Sequence, residues 1–224
     1  MSQYISKFQM RKIQKKNDKI QKVNDKLKSL NTNFKYVIIL DFEANCSNSN
    51  PPVGLEIIEF PCVVYNLETN TIDRTLDFSY FCKINTPLTK FCTELTSITQ
   101  EMSDSGDTLK NTLKLHQQWM IENNFINNSL FVTCGDWDLK TALPTNAKLL
   151  NLDYASYLKK WCNIKIIYEE FYKEKPYGMK NMLEKLNINL EGTHHRGIDD
   201  CANIAKICKK IVDSGYHLRV TNFI

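Results

Sequence analysis

No apolar run in the 224-residue chain approaches the roughly 18 residues needed to cross a bilayer as a helix, which removes the helical membrane proteins. A secretory leader with an apolar core is also missing, and so are CxxC pairs and His/Cys clusters at zinc-ligand spacing. The secreted, thioredoxin-like and zinc-module classes go with them. No internal repeat suggests a solenoid, and no linker divides the chain after residue 34. The eight cysteines (Cys46, Cys62, Cys82, Cys92, Cys134, Cys162, Cys201 and Cys208) sit mostly among apolar residues. They are expected as buried free thiols in a reducing compartment, which places a soluble protein inside the cell, in cytoplasm or nucleus.

What is present is an ordinary globular composition, 42% apolar and 24% charged, with a strongly uneven distribution of charge. Residues 1–33 hold nine Lys/Arg against Asp18 and Asp25, so the remaining residues carry 20 basic and 23 acidic side chains. Within this leader Ile13, Ile20, Val23, Leu27 and Leu30 recur on one helical face. A solvated basic arm, helical or disordered, is the plain expectation; an arm for a polyanion such as nucleic acid is the sharper one. Only one arginine is present there, which counts against a mitochondrial presequence.

Residues 34–224 are expected to form a single domain. Residues 36–41, 56–66, 72–84 and 130–133 have strand character, with a helix near 107–123, helical pieces from 137 to 187, and a last amphipathic helix starting near Asp199. Strands first and helices interleaved later predict an α/β fold, a mixed sheet covered by helices on both faces.

Three places could carry chemistry. Asp41 and Glu43 lie two apart at the exit of the apolar strand in "YVIILDFEANC", so both carboxylates project to one side. Crowded carboxylates repel, which demands a proton or a cation, and hard divalent ions suit them. Alone this pair is a weak signal, since a solvated strand end explains most of its kind. In "TCGDWDLK", Asp136 suits a helix cap and Asp138 is freer to face an ion, with Trp137 expected to pack. In "THHRGIDD", Asp199 is the natural cap, Asp200 falls in the first helical turn, and His194 or His195 on the preceding loop is suited to general-base work. Together these sites could build a two-metal centre for in-line phosphodiester displacement.

The ordered segments "ILDFEA", "EIIEFP", "FCTELTSITQ", "FVTCGDWDLK" and "HHRGIDDCANIA" resemble the DEDDh 3′-to-5′ exonucleases, and within them the branch of the enhanced-RNAi and 3′ histone-mRNA exonucleases. The resemblance spans roughly residues 35–215. It implies a ribonuclease H-like fold with a central mixed five-stranded sheet, two Mg²⁺ or Mn²⁺ ions, and release of nucleoside 5′-monophosphates from RNA 3′ ends, whether single-stranded, overhanging or in a stem-loop. It also implies Asp41, Glu43, Asp138 and Asp200 as metal ligands, Glu43 shared between ions, and His195 as general base. Ala44 and Asn45 fall in the segment near the terminal nucleotide. Asn45 stands where relatives commonly have Thr, and Ser97 where Gly is common. The 33 leading residues leave little room for the small nucleic-acid-binding domain of the best-known relatives. A DNA exonuclease of the same fold, or a non-catalytic adaptor, are the alternative functions. No protein partner is suggested.

Overall fold

Val37, Ile38, Ile39 and Leu40 are four consecutive apolar residues, all fully buried, and such a run suits a strand covered on both faces. A computed structural model describes residues 7–31, 33–49 and 54–224 and places this run at the centre of a sheet. The chain divides into two units, Met1–Thr32 and Asn33–Ile224. The first holds one helix, α1 (Lys7–Leu30). In the second, β1 (Tyr36–Leu40), β2 (Glu43–Ala44), β3 (Ile57–Asn66) and β4 (Thr71–Lys83) are followed by α2 (Lys90–Thr96), α3 (Gln100–Ser105), β5 (Asp107–Thr108), α4 (Leu109–Glu122) and β6 (Ser129–Thr133). One π-helical turn (Asp138–Ala142) leads into α5 (Leu143–Leu149). Then come a short 3₁₀ turn, β7 (Lys160–Asn163), α6 (Ile164–Tyr172), α7 (Met179–Lys185), α8 (Gly197–Asp213) and β8 (Asn222–Phe223).

The sheet order is β5-β4-β3-β1-β6-β7-β8, with β2 paired to β3. Five longer strands, β4-β3-β1-β6-β7, make the expected mixed sheet, and the three two-residue strands extend its margins. Strand β1 runs antiparallel to β3, with Leu40 opposite Cys62, and parallel to β6, with Tyr36 opposite Ser129. Alternation along the strands then separates two apolar layers. Ile38, Leu40, Phe60, Cys62 and Val64 join the core that includes Leu109, Leu113 and Met120 of α4. Helix α8 packs against β3 and β1 and buries Cys201, Ile204, Ala205, Cys208 and Ile211.

Several local expectations are corrected. Strand β7 lies inside the stretch expected to be helical; four residues are too short to show a period, and pairing to β6 (Val132 with Cys162) sets its conformation. Helix α8 starts at Gly197, with Arg196 as its N-cap residue, so Asp199 is no cap; its Oδ2 instead accepts the Thr193 N–H at 2.8 Å. Asp136 does not cap a helix either. Its carboxylate accepts from Trp161 Nε1 at 3.0 Å, Asn163 Nδ2 at 3.1 Å and Asn222 Nδ2 at 3.1 Å, fastening β7 and β8 beside the end of β6. Trp137 is 43% exposed rather than packed. Ser97 is left-handed at φ 60°, closing α2 through its N–H to Thr93 O, which is the conformation that makes glycine common at such a position.

One titratable group is sealed in the larger core. His116 is fully buried, stacked on Phe60 at 4.8 Å between ring centroids, with Nδ1 and the Tyr157 hydroxyl hydrogen-bonded at 3.1 Å. Burial pushes its pKa down to about 3, so the folded state keeps it neutral while an unfolded chain protonates it below the usual value. Its contribution to stability is therefore present above that usual value and is lost as the pH falls toward the folded pKa. By proton linkage the wild type should lose about 2 kcal/mol between pH 7 and pH 5 relative to His116→Phe. Urea unfolding of both proteins across that range measures the difference, and parallel curves would contradict it.

Candidate active site

Two residues, Asp41 and Phe42, separate the end of β1 from the start of β2, so Asp41 and Glu43 bracket Phe42 at the strand's exit. Asp138 opens the π-helical turn after β6, the parallel neighbour of β1, and its Oδ1 accepts the Phe42 N–H at 2.8 Å. That bond fixes the backbone between the first two carboxylates to the third. Asp200 arrives from the other direction, in the first turn of α8; its Oδ2 accepts the His195 N–H at 2.9 Å. Asp41, Glu43 and Asp200 each present an oxygen within 4.8 Å of the others, and His194, His195 and Asp200 form a second such group.

These carboxylates are crowded, Asp138 and Asp200 buried and Asp41 and Glu43 half-buried. Burial, followed by the charges of Asp138, Glu43 and Asp200, raises the Asp41 pKa well above its usual value. Burial and then Asp200 push Glu43 up to about 9. Burial takes Asp138 to about 6 against the opposing Phe42 N–H, and Asp200 to about 7 against that of His195. The chemistry of this donor set fits divalent cations: all oxygens, mutually repelling, with Asp200 Oδ1 buried and lacking a hydrogen-bond partner. The His195 pKa is lowered by burial and then by Lys180, a direction that favours the neutral imidazole, which can accept a proton.

Glu59 is not among the residues expected at this site. It is fully buried on β3 opposite Glu43, its Oε2 accepts the Gly197 N–H at 3.0 Å, and its Oε1 lies 3.4 Å from Arg196 Nε. The Arg196 guanidinium in turn sits 4.5 Å from the Phe81 ring centroid. Glu59 thus caps α8 from another element and holds the His195-Arg196-Gly197 turn against the sheet. The signal was available in "EIIEFP": a carboxylate inside an apolar strand needs a partner. Gly197 is needed for the same approach, since a Cβ there would lie 2.7 Å from Asp41 O and 2.8 Å from Pro61 Cγ.

The other expected residues lie beside this cluster. Ala44 is buried on β2, and the Asn45 N–H donates to Glu56 O at 2.8 Å. Asn45 Nδ2 reaches Thr86 O at 3.3 Å and Pro87 O at 3.4 Å, so the amide ties the strand exit to the loop before α2; its Oδ1 is buried without a partner. His194 stays next to His195, ring centroids 3.7 Å apart.

A mixed sheet flanked by helices, with carboxylates gathered at its strand ends, defines the class of protein: the ribonuclease H-like fold shared with the DEDDh exonucleases. More particularly, the chain belongs to the RNase T exonuclease family, whose model matches residues 38–208. It is 38% identical over 192 residues to 3′-5′ exoribonuclease 1 of Homo sapiens, covering 84% of this chain and 55% of that protein. It is 32% identical to the 3′-5′ exonuclease Snipper of Drosophila melanogaster, covering 84% of this chain and 73% of that protein. The chain thus spans little more than half the length of the first of these relatives. Among solved structures, the nuclease domain of 3′hExo, a DEDDh family member bound to rAMP, is 36% identical with a TM-score of 0.80, covering 85% of this chain and 98% of that chain. Cell-death related nuclease 4 is 26% identical with a TM-score of 0.77, covering 84% of this chain and 67% of that chain.

Two outcomes follow from the crowding. In EDTA, Asp41→Asn relieves repulsion and is expected to stabilise the protein by about 1–3 kcal/mol, whereas added Mg²⁺ should raise the melting temperature of the wild type only. A metal-free variant no more stable than wild type, or an equal Mg²⁺ response, would count against the site. Gly197→Ala should displace α8, destabilise the fold by about 1–3 kcal/mol through overpacking, and weaken Mg²⁺ binding measured by calorimetry; intact affinity would show that the close approach is not required.

Proposed function

We propose that the chain is a divalent-metal-dependent 3′-to-5′ exoribonuclease that releases nucleoside 5′-monophosphates from RNA 3′ ends. The observation that carries this reading is the convergence of Asp41, Glu43 and Asp200 within 4.8 Å, joined to Asp138 through Phe42, with His195 on the adjoining turn. Support comes from relatives whose names describe 3′-5′ exoribonucleases, and from a 36% identical structure described as 3′-end specific recognition of a histone mRNA stem-loop by 3′-exonuclease.

In this reading Asp41, Glu43, Asp138 and Asp200 would hold two Mg²⁺ or Mn²⁺ ions. When bound, such a pair lowers the pKa of an attacking water and offsets charge gathering on the phosphoryl and leaving oxygens. The chain's own contribution is positional and acid–base. Asp138 and Asp200 spend one carboxylate oxygen each on a backbone N–H, which aims the other oxygen. An imidazole nitrogen of His195 takes the proton from the attacking water, and the neutral ring that this needs is what burial favours. Ala44 and the free Oδ1 of Asn45 border the place of the terminal nucleotide, Asn45 with less freedom than a side chain not tethered to Thr86 and Pro87.

With Mg²⁺, 5′-labelled RNA should shorten stepwise from its 3′ end, and single-stranded, overhang and stem-loop substrates with matched DNA define the preference. Asp41→Ala should abolish turnover, and His195→Ala should slow it by about 10²–10⁴-fold, the usual worth of a general base. Full activity in either variant would overturn the assignment. Faster loss of the DNA would move the reading to a DNA exonuclease, and tight RNA binding without turnover to an adaptor.

A further inference from the structure

Helix α1 turns about 100° per residue, and on that wheel its side chains sort into sectors. Arg11, Lys15, Lys19, Lys22 and Lys26 share a sector about 80° wide and form a stripe about 22 Å long; all five are exposed. Ile13, Ile20, Val23, Leu27 and Leu30 occupy the next sector. The helix's two acids lie beyond the stripe's far edge, and they are engaged elsewhere: Asp18 accepts from Gln14 Nε2 and Asp25 from Gln21 Nε2, each at 2.8 Å. Among the described residues no ion pair takes up any of the five cations. Consecutive members are four, four, three and four residues apart, so each neighbouring pair repels by roughly 0.2–0.5 kcal/mol.

The helix's own chemistry disfavours two other occupants. For a coiled coil of two copies, a heptad with Ile13, Ile20 and Leu27 at a and Val23 and Leu30 at d puts Lys16 in the seam. Lys12, Lys19 and Lys26 then fall at g against Asn17 and Asn24 at e, with no acid to pair. For a lipid surface, the five stripe cations flank the apolar sector on one side, while the other flank carries Asn17, Gln14 and Gln21 with a single cation, Lys28. A polyanion remains. Residues 34–224 carry 20 basic and 23 acidic side chains, four of the acids gathered at the active site, so that unit does not draw phosphates by net charge.

We propose that α1 docks nucleic acid, its Arg11–Lys26 stripe lying along the phosphate backbone of the RNA whose 3′ end the other unit trims. The choice of RNA rests on the exoribonuclease reading; the choice of a polyanion rests on the stripe. Binding of a 5′-fluorescent single-stranded RNA to the full chain, followed by anisotropy in EDTA over about 50–200 mM KCl, tests it. The comparison is wild type against Arg11→Gln/Lys15→Gln/Lys19→Gln/Lys22→Gln/Lys26→Gln, in which glutamine keeps helix propensity. Five phosphate contacts predict a slope of log K against log[salt] shallower by about 3.5 in the variant. Turnover of saturating RNA with Mg²⁺ should be unchanged, and Lys16→Gln/Lys28→Gln, off the stripe, should leave the slope near that of wild type.

Equal slopes in wild type and the five-site variant overturn the proposal, and so does an off-stripe pair as damaging per residue as the stripe. Stripe-dependent binding to vesicles of anionic lipid without a change in the RNA slope overturns it in favour of a membrane, and stripe-independent dimerisation in sedimentation overturns it in favour of a second copy. Steep, stripe-dependent binding by a protein that leaves RNA intact with Mg²⁺ would sink the nuclease reading alone, whereas trimming with equal slopes would sink the arm alone.

Discussion

The carboxylates of Asp41, Glu43 and Asp200 repel one another across less than 4.8 Å, and each is fixed by an element whose position is set in the core. Asp41 and Glu43 are held because β1 is buried between β3 and β6. Asp138 is held by its bond to Phe42 N, and Asp200 because α8 lies flush on β3 and β1. The main-chain positions of these residues could not shift without moving a strand end or a helix. The crowding therefore raises their pKa values, and bound divalent cations would favour the ionised forms instead.

Glu59 shows how that arrangement is kept in place. A buried carboxylate close to four others adds to the repulsion, since it raises the pKa of both Asp41 and Glu43. It persists because it is paired: the Gly197 N–H and the Arg196 guanidinium lower its own pKa against burial. Removing one partner from such a group is far more damaging than the net worth of the pair, so Glu59, Arg196 and Gly197 form a unit in which each member requires the others. Asp136 performs a related service at the other side of the site, gathering three N–H donors from β7 and β8 so that the chain leaving β6 is rigid where Asp138 begins.

The strands β1, β3 and β4 were visible because they are long enough, or apolar enough, to show their burial in the residue pattern; β7 was not, because four residues specify little without their neighbour β6. The candidate site residues stood out for a different reason. Asp41 and Glu43 are local in sequence, and the His195–Asp200 spacing is local too, so resemblance could carry them; their meeting in space is what the fold supplies. Capping was misassigned at Asp136 and Asp199 because a short polar side chain before a helix has more than one use, and here both bond to more distant backbone or side-chain donors. Trp137 was expected inside on the average behaviour of tryptophan, but it follows a strand exit that turns toward solvent.

The proposed division of labour between metal ligands and a general base rests on a difference in backbone geometry. Asp41, Asp138 and Asp200 stand at a strand end or in first helical turns, where backbone bonds on either side restrict motion. His195 sits at φ 66°, a left-handed conformation unfavourable for a residue with a Cβ by about 1–2 kcal/mol. It is kept there by its N–H to Asp200 and by the Arg196-Gly197 turn anchored on Glu59. The turn thus fixes the main chain of His195, the proposed base, to the Asp200 carboxylate and leaves its imidazole half-buried beside that of His194. In the proposed reaction such an arrangement would keep the carboxylate oxygens in position while the imidazole accepts a proton.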